Sequence, residues 1–479
     1  FNPLAWLAAR RMRAEREKAC DDLVLNAGAR PAEYANHLVE IARQFSAAHL
    51  GGAVAMARPS GLESRVVAIL DGRCNRNTIG KMTAVAIVFT VFGLGFLIGG
   101  CTNKNSPPKW SLKHSAVSAQ LKSFVTEKEA QAAAAVKADG KEAPPEFKSF
   151  FTAATKGDWL TVSNYFEDFK KHAPQYSHPG SKVDERLRGT AWQAVLETWG
   201  VFDNMAVGSE KYSTLYATNI IDSIPAGSIY FGGTDPGRLL ITGMEKSQIN
   251  ADPFFLLTQN ALADGTYLGY LRGMYGEKIY IPTDEDSQKC FQDYVADAKQ
   301  RLQNDQLKPG ENVKVDSVSG RVYVSGKVAV MSINGLLAKI IFDRNTNCEF
   351  YIEESFPLDW MYPYLEPHGL IFKINRQPLP ELSDEIVRRD HDYWTKMIQP
   401  MIGGWLNDDT SVEEITTFAA KVFLRHDFSG FTGDPQFVQN GYSCKMFSKE
   451  RNSIAGLYVW RMKNAADPAT KERMAREAD

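Results

Sequence analysis

Residues 82–100, MTAVAIVFTVFGLGFLIGG, run for nineteen positions without a charged side chain. At about 1.5 Å per residue, a helix of that length nearly crosses a hydrocarbon core of about 30 Å. Such a run leaves the chain two choices: a helix buried all round in a large core, or a helix in a bilayer. Soluble helices are seldom apolar on every face over this length, so the bilayer is the expectation. No other window competes, because VAVMSINGLLAKIIFD (328–343) is interrupted by Asn334 and Lys339. The glycines of FGLGFLIGG then serve helix packing rather than nucleotide binding.

Arg65, Arg73, Arg76 and Lys81 precede the run, whereas Lys104, Lys109 and Lys113 follow it. This slight excess leans toward residues 1–81 in the cytoplasm and residues 101–479 outside it, at the cell membrane. An alternative stays open at the end of the run, where LIGGC resembles the lipobox of bacterial lipoproteins with Cys101 as the lipidated residue.

A chain of 479 residues has room for two to four domains at about 150 residues each. Apolar content of 44% and charged content of 23% are ordinary for globular protein. A net charge of −2 gives no reason to expect a nucleic-acid partner. Cys20, Cys74, Cys101, Cys290, Cys348 and Cys444 form no CxxC pair, which excludes a zinc ribbon and a dense disulfide framework. The chain opens on Phe1 without a signal peptide, and a truncation is the expectation.

Before the apolar run, residues 8–26 are rich in strong helix formers, and Gly28 and Pro31 supply a stop and a fresh start. The next helix, about 31–46, sets Tyr34, Leu38 and Ile41 on one face. Composition alone makes these charge-rich helices solvated faces. FNPLAWLAARRMRAEREKACDDLVLNAGARPAEYANHLVEIA, followed by AMARPSGLESRVVAIL and one span, resembles the BlaR/MecR-type membrane zinc metallopeptidases and their signal-transducing relatives. The likeness covers about the first hundred residues, and EREKACDD is its most specific element.

The resemblance implies a zinc cofactor, a cytoplasmic protein substrate such as a repressor, and a helical domain over residues 1–80. Catalytic zinc takes three protein ligands and one open position for water. In the family an HExxH helix supplies two histidines and a general base, and a later carboxylate completes the set. By resemblance Glu17 is that third ligand, with Glu15 a weaker candidate. Asp21, one turn on, is the acceptor that steadies a ligand histidine. The departure is plain: none of the eight histidines is followed by Glu, so the chain as it stands is expected to be inactive as a protease.

Residues 101–146 read as a linker, an extended stalk with one solvent-exposed Ala-rich helix ended by Gly140 and the Pro144–Pro145 pair. Residues 147–210 read as helical hairpins, reminiscent of tetratricopeptide pairs around Gly157–Asp158 but without a second copy. Residues 211–400 read as an α/β domain with a mainly parallel sheet. GSIYFGG, KIYIPT, CEFYIEESF and GLIFKIN are its expected strands; PFFLLTQNALADGTYLGYLRGMYG and DSQKCFQDYVADAKQRL are expected helices. Residues 401–479 read as a C-terminal helical segment. A weaker likeness links residues 220–380 to the soluble C-terminal part of bacterial glycosyltransferase-like membrane proteins. It implies a fold and no function.

FGGTDPGRLL is the sharpest site candidate. Ligands of parallel sheets bind beyond the carboxyl ends of strands, and a glycine-rich turn opening a helix offers free N–H groups to an anion. Gly232, Gly233 and Gly237 allow close approach, Thr234 and Asp235 suit hydroxyls or metal, and Arg238 suits a carboxylate or phosphate. The plainer alternative is a tight turn with Asp235 capping the helix. Asp390-His391-Asp392 reads as a surface feature, His368 as structural, and Glu353 and Glu354 as alternating, so that at most one faces a given pocket. A penicillin-sensor serine site is excluded: Ser106 to Lys109, the one S-x-x-K, contains two prolines, and K-T-G is absent. Two function classes remain in play, a fragment of a membrane-anchored zinc-metallopeptidase-type signal transducer and a non-catalytic membrane-tethered binding protein. A third, an outer-domain enzyme acting on sugars or nucleotides, rests on the TDPGR turn and the weaker likeness.

Overall fold

A computed structural model describes residues 116–478, apart from 139, 175–181, 188, 317–318, 355–356 and 408. Glu15, Glu17, Asp21, the run 82–100 and Cys101 lie outside the described residues. Among the described residues no helix is long and apolar enough to cross a membrane.

Five helices come first: α1 (Ala116–Ala138), α2 (Pro145–Thr155), α3 (Trp159–His172), α4 (Thr190–Val207) and α5 (Glu210–Ser223). The α2–α3 hairpin follows from its sequence. Proline in the first turn of α2 needs no N–H partner, Gly157 takes a φ of 67° at the reversal, and Asp158 caps α3 by accepting from the Thr161 N–H at 3.2 Å. Phe147, Phe150, Phe151 and Ala154 line the buried face of α2. Phe166 of α3 stacks on Trp199 of α4 with centroids 4.2 Å apart.

The expectation of an exposed stalk helix is corrected by α1. Leu121, Phe124, Val125, Lys128, Ala132 and Val136 are all buried, and the helix packs along α4. Their spacing is the three-to-four comb of an amphipathic helix. It escapes notice because Lys128 holds a core position. A boundary at 210 does not appear either, since the helices and the sheet share one continuous apolar core.

The sheet contains β1 (Ile229–Gly232), β2 (Phe255–Thr258), β5 (Phe350–Glu353), β6 (Leu365–His368) and β7 (Ile371–Ile374), in the order β2-β1-β5-β7-β6. β1 pairs in parallel with β2 and β5, whereas β7 runs antiparallel to β5 and β6. The mixed α/β class holds, with parallel pairing confined to the β2-β1-β5 half. Between β2 and β5 come α6 (Gly265–Tyr275), α7 (Asp284–Gln303), a two-stranded antiparallel ribbon of β3 (Asn312–Val315) and β4 (Val322–Ser325), and α8 (Lys327–Arg344). The ribbon, α7 and α8 share a small second core around Tyr294 and Val313. After β7 the chain is helical, with α9 (Asp384–Ile402), α10 (Gly441–Asn464) and α11 (Pro468–Ala478) the longest pieces.

Two assignments change. Phe255–Thr258 is a strand rather than the start of a helix, and KIYIPT is irregular. Three apolar residues and a threonine fit either state, and only the buried slot beside β1 decides. In KIYIPT, Pro282 lacks an N–H for a ladder, and the backbone of Tyr280 bonds to the Asn345 side chain instead of to a strand.

Candidate functional site

β1, β2 and β5 end side by side because they are parallel neighbours in register, Gly232 opposite both Thr258 and Glu353. Three connections therefore meet at one edge. The turn Gly233–Thr234–Asp235 leads from β1 into the helical run 236–244, Gln259–Asn260 follows β2, and Glu353–Glu354 closes β5.

The glycine-rich turn is an anion cradle, and the anion is the chain's own. The Glu353 carboxylate accepts from the Thr234 N–H at 3.0 Å and the Thr234 hydroxyl at 2.6 Å, and at 3.2 Å it shares the Gly233 N–H with its own main-chain carbonyl, 2.7 Å away. Gly237 is required here, since a methyl group on it would collide with the Glu353 carboxylate. Thr234 Oγ1 also accepts from the Gly237 N–H at 3.2 Å, so the cap lies one residue before Asp235, whose side chain makes no cap bond.

Glu354 approaches the same turn. Its Oε2 accepts from Asn260 Nδ2 at 3.1 Å, and that amide also donates to the Gly233 carbonyl at 2.9 Å. The expected alternation of Glu353 and Glu354 fails because β5 ends at Glu353, after which the period of two no longer applies. Asn334, fully buried on α8, holds the Asn260 segment through the Asn260 carbonyl at 3.1 Å and the Ala263 N–H at 2.7 Å. At the end of β2, Gln259 is buried and its Oε1 has no hydrogen-bond partner among the described residues.

Beneath the turn, Glu450 of α10 hydrogen-bonds to Glu353 and accepts from the Tyr216 hydroxyl at 2.9 Å. Burial, reinforced by Glu353, raises the Glu450 carboxyl well above the usual range. Burial likewise pushes up Tyr230, which donates to the Gly237 carbonyl at 2.7 Å.

The solvent-facing rim is different. Asp235 pairs with Arg238 at 2.8 Å, their side chains 68% and 30% exposed. Asp203 of α4 is raised by burial and by Asp235. Tyr442 of α10 is raised by burial and then by Asp235, Asp203 and Glu353, and it donates to Asn204 Oδ1.

Of the residues singled out in the sequence, Thr234, Asp235 and Arg238 do meet at this edge, with Thr234 buried and the other two at the rim. The sequence reading singles out neither Glu450 nor Asn260, and takes Asn334 only as a break in an apolar window. Glu450 was findable, because it shares the comb Met446, Phe447, Ser453, Ile454, Leu457 of α10's buried face. Asp390 corrects the reading of Asp390-His391-Asp392 as surface: it is buried and accepts from the Tyr458 hydroxyl at 2.9 Å. His368 bonds through Nε2 to the Ser223 carbonyl at 2.8 Å. Among the described residues, no group of three or more His, Cys, Asp or Glu is placed to hold a metal ion. No family model matches the chain, and neither a curated protein nor a solved structure is significantly similar to it.

Proposed function

We propose that the described α/β unit is the ligand-binding, extracytoplasmic part of a membrane-anchored signal transducer of zinc-metallopeptidase type. In this reading residues 82–100 span the membrane and Glu17, oriented through Asp21, completes a zinc shell on the cytoplasmic side. The ligand docks on the rim formed by Asp235, Arg238, Asn260 and Asp203.

One observation carries the ligand class: Glu353 occupies the N–H donors that an external phosphate or nucleotide would use. With those donors taken and carboxylates at the rim, the edge suits a hydroxyl-rich or amine-bearing small molecule. Gln259 Oε1, a buried acceptor without a donor, supports the same class.

Thermal unfolding of the full chain with neutral sugars, polyols and amines, set beside inorganic phosphate and nucleotides, tests this. A raised Tm with a member of the first set, lost in Asp235→Asn and Asn260→Ala, is expected. Stabilisation by phosphate alone overturns it. The second reading, a tethered binding protein without peptidase chemistry, keeps the ligand response. It differs in zinc content: a protein that includes a histidine-bearing upstream helix loses zinc on Glu17→Ala under the first reading and binds none under the second.

A further inference from the structure

A second polar cluster lies where α1, α4, α6 and the loop after the short helix Ile241–Met244 meet. Lys128 of α1 is fully buried. Its Nζ donates to Glu197 Oε2 at 2.5 Å, to Tyr270 Oη at 2.7 Å and to Gln248 Oε1. An ammonium group has three donors, so none remains.

Glu245 sits beside this cluster with 1% of its surface exposed, and among the described residues neither of its carboxyl oxygens has a hydrogen-bond partner. Gln248 Nε2 is also unpartnered. The charged groups around Glu245 are Lys128 and Glu127 from α1, Glu197 from α4 and Asp252 from the loop; the phenols of Tyr230 and Tyr275 adjoin it. The same residues hold α1 in place. Gln120 donates to the Glu245 carbonyl, and Ser247 donates to the Glu127 carboxylate.

We propose that this cluster is a proton-controlled latch on α1: a neutral Glu245 leaves Lys128 bonded inside the core, whereas an ionised Glu245 sets two carboxylates against one ammonium and frees the helix. A buried anion with no donor is among the costliest groups a core can hold. Burial first, then Glu197, Glu127 and Asp252, raise Glu245 well above the usual carboxylate range, and Lys128 opposes them only in part.

The direction of the effect follows. A carboxyl raised in the closed state favours closure most strongly at acid pH. That advantage falls as pH climbs from the ordinary glutamate value, about 4.3, to the raised one, and is flat beyond it. α1 begins at Ala116, soon after the apolar run ends at Gly100, so its release is a natural signal on the membrane reading above. The latch itself does not depend on that reading.

Hydrogen exchange of α1 amides in the full chain, corrected for intrinsic chemical rates, tests it. The opening equilibrium of α1 should grow up to about tenfold per pH unit across the window, while the sheet keeps its protection. In Glu245→Gln the α1 profile should be flat. Glu245→Leu, which keeps bulk and removes the charge, takes its place if the glutamine variant does not fold. Protection of α1 that ignores pH, or a variant whose profile follows the parent, overturns the proposal.

Discussion

Glu353 at the sheet edge and Glu245 at the helix junction are both buried carboxyls, yet their surroundings are opposite. Glu353 receives two backbone N–H groups and a hydroxyl, and Glu450, whose carboxyl burial raises, is hydrogen-bonded beside it. The Glu245 carboxyl receives no hydrogen bond among the described residues, and the Lys128 ammonium nearby is fully engaged elsewhere. Burial alone therefore says little about a carboxyl's role. Where donors converge, the group is architecture; where they are missing, it is a group whose charge the fold resists.

The largest expected effect comes from removing the ammonium. Lys128→Ala strands Glu197 beside Glu245 and should cost about 3–5 kcal/mol in denaturant unfolding. A loss below about 1 kcal/mol would mean that the junction is not close-packed. On the other side, Gly237→Ala drives a methyl group into Glu353 and should cost about 1–3 kcal/mol. No loss there would show that the turn yields.

Asp390 is the intermediate case. One oxygen accepts from Tyr458 while Oδ1 has no partner among the described residues, and burial raises the carboxyl to about 6. Its stabilising contribution is fully present below the ordinary aspartate value of about 3.9, and is lost as pH rises through its raised value. Stability should thus fall by up to about 1.4 kcal/mol per pH unit in that window. Asp390→Asn should remove this slope, as read from unfolding at a series of pH values. The smallest effect is expected at the rim, where Asp235→Asn breaks an exposed pair and should change stability by less than about 0.5 kcal/mol while abolishing the ligand response.

Much of the architecture was legible. GSIYFGG and CEFYIEESF are short apolar runs between turn residues, and each contains a strand; Gly157–Asp158 does separate two helices. What stayed hidden were positions where a long-range partner overrides local pattern. Phe255–Thr258 becomes a strand because β1 offers it an open ladder. Lys128 enters the core because Glu197, Gln248 and Tyr270, all distant in sequence, receive it. The same holds at the site. Its glycine-rich turn was recognisable, but that Glu353, more than a hundred residues later, fills the cradle depends on the β1–β5 register.

The most direct measurement sets like against like: Glu353→Gln and Glu245→Gln, each unfolded with denaturant at neutral pH. Glu353→Gln can turn its amide oxygen to the Gly233 and Thr234 N–H groups only by setting its NH2 group against the Thr234 hydroxyl, which loses its acceptor, and stability should fall by about 2 kcal/mol. Glu245→Gln should be unchanged or more stable, because it replaces a carboxyl that the fold keeps from ionising and whose charge no donor would meet. Equal losses in the two variants would contradict the account.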